Sequence, residues 1–213
     1  MIPMVRPMTI LTRNNPNRRG FLAAGAAALA ASALLPGAAR ALTGSQAEQL
    51  VTSAVDRINT VISSGKSESA MIADFQQILN QYADVNIIAR SCLGASARTA
   101  SAAEMAAYTK AFSGYLARKY GKRFREFIGG EITVKGSRQV KTWYEVSSTA
   151  DLSGQSPFEV RFLVSDGSGK PLFFDLFIEG ISLRLTERDE IGAMLDQNRG
   201  SMAGLTAALQ KAG

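Results

Sequence analysis

One acidic residue of the sequence, Asp175, lies in a setting that could give it catalytic chemistry. It interrupts the apolar segment Phe173–Phe177, and burial of a carboxyl group among apolar side chains raises its pKa toward that of a general base. Paired with Tyr144, such a group could act as the acid and base of a pocket enzyme. Alternation along the segment favours a structural role instead, because Asp175 is out of phase with the apolar stripe and would accept hydrogen bonds on the other side of the sheet.

A cluster of cations between residues 118 and 125 could bind an anionic partner. On a helix, Arg118, Lys122 and Arg125 would share one face, which could dock on lipid headgroups or on an acidic protein. The alternative is an ordinary solvated helix face. These three residues are therefore a candidate partner-docking surface.

Composition excludes most other catalytic chemistry. The sequence contains no histidine, which removes the histidine-dependent nucleophile systems and the usual zinc and non-haem iron sites. Its one cysteine, Cys92, allows no intramolecular disulfide and is expected to be a small buried apolar residue. The segment Gly167-Ser168-Gly169 lies in a predicted hairpin turn, so no nucleotide-binding loop is indicated. We predict a non-enzymatic protein with no catalytic residue, no metal site and no cofactor.

Helices are predicted through the first half of the chain and again at its end. A capping box at Ser45–Glu48 opens the first helix, Ser67 precedes the second, and a short third fits residues 84–92. Another capping box at Ser101–Glu104 opens a long helix that Gly121 kinks or divides. Two further helices, spanning about 186–198 and 201–211, are expected to close the chain.

Between these helical regions the apolar period changes to two, which is typical of strands. Turns are predicted at Gly136-Ser137 and at Asp166–Gly169, and a short last strand at 182–185. The apolar stripe of the fourth strand is expected to place Phe173 on the opposite face. Helices followed by an antiparallel meander predict an α+β fold with four to five strands, one face covered by the N-terminal helices. The inward-facing stripes of the central strands are Val140, Thr142, Tyr144 and Val146, then Phe158, Val160, Phe162 and Val164, then Leu172, Phe174, Leu176 and Ile178.

Residues 1–41 have the three parts of a secretory signal: a basic segment, a short apolar run and a small-residue exit at Ala39-Arg40-Ala41. The pair Arg18-Arg19, followed by Phe21-Leu22, resembles a twin-arginine export signal. A transmembrane anchor is disfavoured because the alanine-rich run is shorter than the roughly 20 residues that span a bilayer. We predict cleavage near Ala41 and a single exported domain over residues 42–213.

The predicted signal also accounts for the basic character of the whole chain. Five of its 24 lysines and arginines lie in residues 1–41, which contain no acidic residue, so the remainder has 19 basic and 18 acidic residues. A nearly neutral domain without a nucleic-acid-binding motif gives no reason to expect nucleic acid as a partner.

Three segments in order resemble the MlaC, or toluene-tolerance, family. Tyr82–Gly94 is similar to the family's D-x-x-x-x-A-R-x-x-L-G helix, and Asp175–Leu183 is similar to its D-v-x-I-e-G-v-S-L signature. Between them, the helix that follows Thr99 carries the family's spaced aromatic and aliphatic residues. Those residues are Tyr108, Phe112, Leu116 and Tyr120.

The resemblance implies a cone-shaped, NTF2-like α+β domain that encloses an apolar cavity and carries phospholipid across the periplasm. It implies shuttling between an outer-membrane lipoprotein complex and an inner-membrane ABC transporter with an MCE-domain ring, which would maintain outer-membrane lipid asymmetry. The bound phospholipid is then cargo, and a monomer is expected. A hopanoid or other lipid as cargo, an NTF2-like pocket enzyme, and a plain adaptor that uses the docking surface are the alternatives. The candidate lipid-binding residues are Phe112, Leu116, Val140, Tyr144, Val146, Val160, Phe162, Phe174, Leu176 and Ile178.

Overall fold

A computed structural model of the protein describes residues 41–122, 130–152 and 154–213. The predicted signal segment, apart from Ala41, lies outside these residues, as does Arg125. In the described part, five helical segments precede the sheet in sequence and two helices follow it. These are α1 (Gly44–Ile62), α2 (Glu68–Tyr82), α3 (Val85–Leu93), a 3₁₀ turn (Gly94–Arg98), α4 (Ala102–Gly121), α5 (Leu183–Gln197) and α6 (Met202–Lys211).

The strands form one antiparallel sheet in the order in which they follow along the chain. Each strand pairs with the next, so the sheet is a simple meander. The predicted α+β class, with an antiparallel sheet covered by helices, is confirmed. The strands are β1 (Glu131–Val140), β2 (Trp143–Asp151), β3 (Phe158–Ser165), β4 (Leu172–Ile178) and β5 (Ile181–Ser182).

The start of α1 differs from the prediction. The capping box is formed by Thr43 and Gln46: the Gln46 backbone N–H donates to the Thr43 hydroxyl at 3.3 Å, and the Thr43 N–H donates to Gln46 Oε1 at 3.0 Å. Thr-x-x-Gln satisfies the free N–H groups as well as the predicted Ser-x-x-Glu would. The buried Leu42, whose N–H donates to Asp166 at 3.0 Å, fixes the chain at this earlier point.

The first hairpin also turns later than predicted. β1 continues through Gly136 and Ser137, and the turn lies at Lys141-Thr142, where Lys141 has φ of +56°. The register between β1 and β2 shifts between Val134 and Gly136. Gly136 therefore serves a β-bulge inside the strand, where its φ of +154° suits glycine, and does not form the turn.

Helix α1 is bound to the edge of the sheet as well as packed on it. The Asn59 side-chain amide donates to the Ile132 carbonyl at 3.2 Å, and the Ile132 N–H donates back to Asn59 Oδ1 at 3.2 Å. This pair satisfies backbone groups of β1, which is an edge strand of the sheet formed by the described residues. The helices are thus held over the same face of the sheet that carries the buried stripe Val146, Val160 and Phe162.

Candidate functional site

A cavity of about 190 Å³ lies between the covered face of the sheet and the helices above it. Strands β1 to β4 supply one wall, and helices α1 to α5 supply the other. Apart from Asp175, Arg184 and Glu187, every described residue that lines it is aliphatic or aromatic. Apolar cavities of this kind remain dry and accept apolar ligands.

Six of the ten predicted lipid-binding residues line the cavity. Leu116 comes from α4, Val160 and Phe162 come from β3, and the remaining three come from β4. The prediction found part of the sheet wall but missed most of the helical wall, to which five helices contribute residues. The six are Leu116, Val160, Phe162, Phe174, Leu176 and Ile178; the helical residues missed include Ile58, Phe75, Ile78, Leu79 and Ile88.

The other four predicted residues lie away from the cavity. Phe112 is fully buried, with its ring centroid 5.7 Å from that of Tyr108, and Val146 is also fully buried in the core. Val140 pairs with Trp143 beside the first hairpin turn.

Tyr144 is the fourth residue outside the cavity wall. Its ring lies beside Gly44 at the start of α1, where a Cβ on residue 44 would be 3.2 Å from the ring. The Tyr144 ring therefore lies at the start of α1 and is not among the residues that line the cavity.

A bulge in β4 changes which of its aromatic residues faces the core. Val164 pairs with Phe173, and Leu163 pairs with Asp175, so Phe174 is the extra residue. As a result Phe173 is buried with its ring edge-on to Phe162 at 5.6 Å, whereas Phe174 packs edge-on against Trp143 at 6.0 Å. The predicted alternation was wrong for Phe173, because the bulge brings this residue to the core face, while Phe174 still borders the cavity.

Asp175 is one of the three charged residues of the wall, and its carboxylate is fully engaged within the chain. Oδ1 accepts from the backbone N–H groups of Leu176 at 2.8 Å and Arg184 at 3.2 Å. Oδ2 accepts from the Ser182 hydroxyl at 2.8 Å and from Arg184 Nε at 3.2 Å. Four donors around one buried carboxylate are the pattern of a structural group, and Tyr144, its suggested acid–base partner, does not line the cavity.

Glu187, like Arg184, is a charged wall residue that sequence reasoning missed. It is only 2% exposed, and its Oε1 accepts from Lys119 Nζ at 2.8 Å and from the Tyr120 hydroxyl. A signal for it was present, because Glu187, Ile191 and Leu195 follow one another at intervals of four residues and form the buried stripe of α5. A carboxylate in such a stripe needs an explanation.

Lys119 links Glu187 to the surface. Its ammonium also donates to the Tyr115 hydroxyl at 3.0 Å and to Glu190 Oε2 at 2.5 Å. Burial lowers the pKa of Lys119, but its bonds to Glu187 and Glu190 outweigh this and raise the pKa above its ordinary value. Burial raises the pKa of Tyr115, and its hydrogen bond to Glu190 raises it further. The cluster therefore holds Lys119 charged and Tyr115 protonated.

The candidate partner-docking surface is engaged with the last residues of the sequence. Arg118 Nε donates to the Ala212 carbonyl at 2.8 Å, and its Nη2 donates to the Leu209 carbonyl. Lys122 Nζ donates to the Gly213 carbonyl at 2.7 Å. Two of the three cations thus bind the carboxyl end of α6, and Arg125 lies outside the described residues; docking by this surface stays a prediction.

Two other kinds of site are absent from the described residues. No helix among residues 41–122, 130–152 and 154–213 is long and apolar enough to cross a bilayer. In those same ranges, no three His, Cys, Asp or Glu side chains are grouped so that they could hold a metal ion.

Comparison with known proteins finds a matching family model and a solved structure of similar fold. A family model described as MlaC protein matches residues 48–211. Among solved structures, the chain is similar to a phospholipid-binding protein from Ralstonia solanacearum in complex with a phospholipid, with a TM-score of 0.65 and 20% sequence identity. That alignment covers 78% of this chain and 96% of the other. No curated protein matches the chain by sequence.

Proposed function

The chain belongs to the MlaC family, and on that premise we propose that it is a periplasmic carrier that shuttles phospholipid between the two membranes of the cell envelope. The observation that carries the proposal is the apolar cavity between sheet and helices. A carrier requires a dry slot and no catalytic group. The solved structure that shares this fold belongs to a protein that binds phospholipid, which supports the same assignment.

The free energy of carriage is consistent with such a slot. Each methylene group removed from water contributes about 0.8 kcal/mol, so even part of an acyl chain in the cavity gives substantial affinity relative to water. The interior of a membrane is nearly as apolar as the cavity. The free energy of moving a lipid from a membrane into the cavity is therefore a small difference between large terms. Docking partners have to set the direction of transfer.

The proposed partners follow from the family and from the predicted export signal. An inner-membrane ABC transporter with an MCE-domain ring and an outer-membrane lipoprotein complex would dock the carrier at either end of its route. The paired arginines Arg18-Arg19 and the exit at Ala41 support a periplasmic location for the cleaved protein.

Uptake of lipid from vesicles tests the proposal. The purified, delipidated protein is incubated with phospholipid vesicles, separated by gel filtration, and the lipid it retains is identified by mass spectrometry. We expect retained phospholipid in the native protein. Vesicles that also contain a hopanoid distinguish the alternative cargo, because the retained lipid is then the polycyclic one.

A cavity-filling variant ties the uptake to the cavity. Leu176 is half-buried and lines the cavity, so Leu176→Trp should displace two to three methylene groups of cargo and weaken binding by about 2 kcal/mol, or roughly thirtyfold. Leu50 is also half-buried but does not line the cavity, and Leu50→Trp is the matched control. Equal uptake by both variants, or no uptake by the native protein, would overturn the proposal.

A further inference from the structure

Leu42, near the start of the described chain, is bound to the turn between β3 and β4. Its backbone N–H donates to Asp166 Oδ2 at 3.0 Å, and its side chain is 8% exposed and belongs to the hydrophobic core. Asp166 directly follows Ser165, the last residue of β3. The position of the Leu42 nitrogen is therefore set by the folded domain, through a core side chain and a carboxylate.

The Asp166 carboxylate has one partner, and that partner is uncharged. In residues 41–122, 130–152 and 154–213, the Leu42 N–H is the one hydrogen-bond donor to it, and no lysine or arginine forms an ion pair with it. The bond is part-buried, where salt screens a charge less than at an open surface. A positive charge on the Leu42 nitrogen would add Coulomb attraction to a hydrogen bond that is already in place.

Cleavage of the predicted signal puts a charge on that nitrogen. The small-residue exit Ala39-Arg40-Ala41 places the cut of a signal peptidase at the bond between Ala41 and Leu42. Hydrolysis breaks this C–N bond: water gives its hydroxyl to the Ala41 carbonyl carbon and its remaining hydrogen to the Leu42 nitrogen. The new acid releases a proton to water, and the new amine, whose ordinary pKa is about 7.7–8.0, takes one up. Leu42 then begins the mature chain as an ammonium.

We propose that signal cleavage before Leu42 creates an ion pair between its α-ammonium and Asp166, and that this pair fixes the start of α1 in the mature protein. The nitrogen is the same atom before and after the cut, and at 3.0 Å it already lies within ion-pair distance. Asn59 binds the other end of α1 to Ile132, so the helix is held at both ends. Because Ile58 of this helix lines the cavity, the pair also holds one element of the cavity wall. The inference rests on the predicted export signal and goes beyond the proposed cargo.

The first residue of the exported protein is the first test. The full chain is expressed with its own signal, purified from the periplasm, and measured by intact mass spectrometry and N-terminal sequencing. We expect a chain that begins at Leu42 and resists an aminopeptidase, because Leu42 has to leave the core before it can be removed. Asp166→Asn should release Leu42 about threefold faster or more. A mature chain that begins at any other residue overturns the proposal.

A comparison of the processed protein with its precursor isolates the charge. The precursor, made in a translation extract without membranes, keeps residues 1–41, so its residue 42 donates an ordinary amide N–H. In the precursor, Asp166→Asn retains an amide oxygen that accepts this N–H, whereas in the processed protein it removes the partner of an ammonium. We expect the variant to lower the folding equilibrium constant of the processed protein about fivefold more than that of the precursor, as measured by urea unfolding.

The matched control is Asp151→Asn, which removes an exposed carboxylate from the end of β2. It should change the processed protein and the precursor equally. Equal losses in the two forms for Asp166→Asn as well would show that the ammonium does not pair with Asp166 and would overturn the proposal. Asp166→Ser, which also suits a turn, replaces the asparagine variant if that variant does not fold. Phospholipid retention is a separate measurement, so a protein that retains lipid but fails this comparison refutes the ion pair alone.

Discussion

The carboxylate of Asp175 accepts a hydrogen bond from the Ser182 hydroxyl at 2.8 Å, and that same hydroxyl accepts the N–H of Leu185 at 3.1 Å. Ser182 is the N-cap of α5, so the acid of β4 holds the residue that begins the next helix. Both residues belong to the segment Asp175–Leu183 that carries the family resemblance. Its function here is to connect strand and helix at the polar end of the cavity wall.

Replacing Asp175 with asparagine should therefore destabilise the protein. The change removes the charge that pairs with Arg184 and turns one acceptor into a donor that faces backbone N–H groups. We expect Asp175→Asn to lower the free energy of unfolding by about 3 kcal/mol. Urea unfolding followed by circular dichroism measures the loss.

The matched control is Asp189→Asn, which removes an exposed carboxylate from α5, the helix whose N-cap Asp175 holds. It should change the free energy of unfolding by less than about 0.5 kcal/mol. If Asp175→Asn were as stable as the control, the structural role of Asp175 would be wrong, and its interpretation as a pocket base would regain support.

Arg118 should contribute to the stability of α6. Its guanidinium binds the carbonyls of Leu209 and Ala212, where a cation also interacts favourably with the helix dipole. We expect Arg118→Met to cost about 1–3 kcal/mol and to increase amide hydrogen exchange in α6. Lys110→Met, which removes an exposed cation from the same helix α4, is the control.

A surface used only for docking gives the opposite pattern. Arg118→Met would then leave both the unfolding free energy and the exchange of α6 unchanged, and would weaken only the binding of a partner. That result would contradict the role in stability and restore the interpretation of this helix face as a free docking surface.

The buried thiol of Cys92 should make the protein sensitive to alkali. Burial raises the pKa of Cys92 from 9.0 to about 12, and the negative charge of Glu187 adds to the effect. Because the pKa is higher in the folded than in the unfolded state, the thiol contributes stability that is complete below pH 9.0 and is lost progressively as the pH rises toward about 12.

Cys92→Ala should reduce this alkaline loss. Between about pH 8 and about pH 11, the native protein should lose about 2 kcal/mol more stability than the variant, as measured by urea unfolding at each pH. Other groups that titrate in this range, such as Tyr115 and Lys119, are present in both proteins and cancel in the comparison. Parallel pH profiles for the two proteins would show that the ionisation of Cys92 is not linked to folding.

Local sequence patterns predicted the helices and strands better than they predicted the positions of the turns between them. The N-caps Ser67 and Ser101 are as predicted, because a capping residue and an apolar period are both visible within one helical turn of sequence. The hairpin turn was misplaced because Gly136-Ser137 suits a turn and a bulge equally well. The register of β1 with β2, in which Val140 pairs with Trp143, decides between them, and the local pattern does not give that register.

The candidate site shows the same division. Alternation placed Val160, Phe162 and Leu176 on the cavity face correctly, but it failed at Phe173, where the bulge inverts the pattern. It could not distinguish a cavity from a filled core, because Val146 has the same period and lies in solid packing. Whether an inward residue meets a neighbour or a void depends on how the helices sit above it, which no local pattern encodes.

Native mass spectrometry of the protein as purified from the periplasm tests the central claim most directly. We predict a population heavier than the polypeptide by the mass of one lipid, released on activation and identified as a phospholipid, and depleted in Leu176→Trp but not in Leu50→Trp. A single lipid-free species, unchanged after incubation with phospholipid vesicles, would contradict the assignment of the cavity as a cargo site.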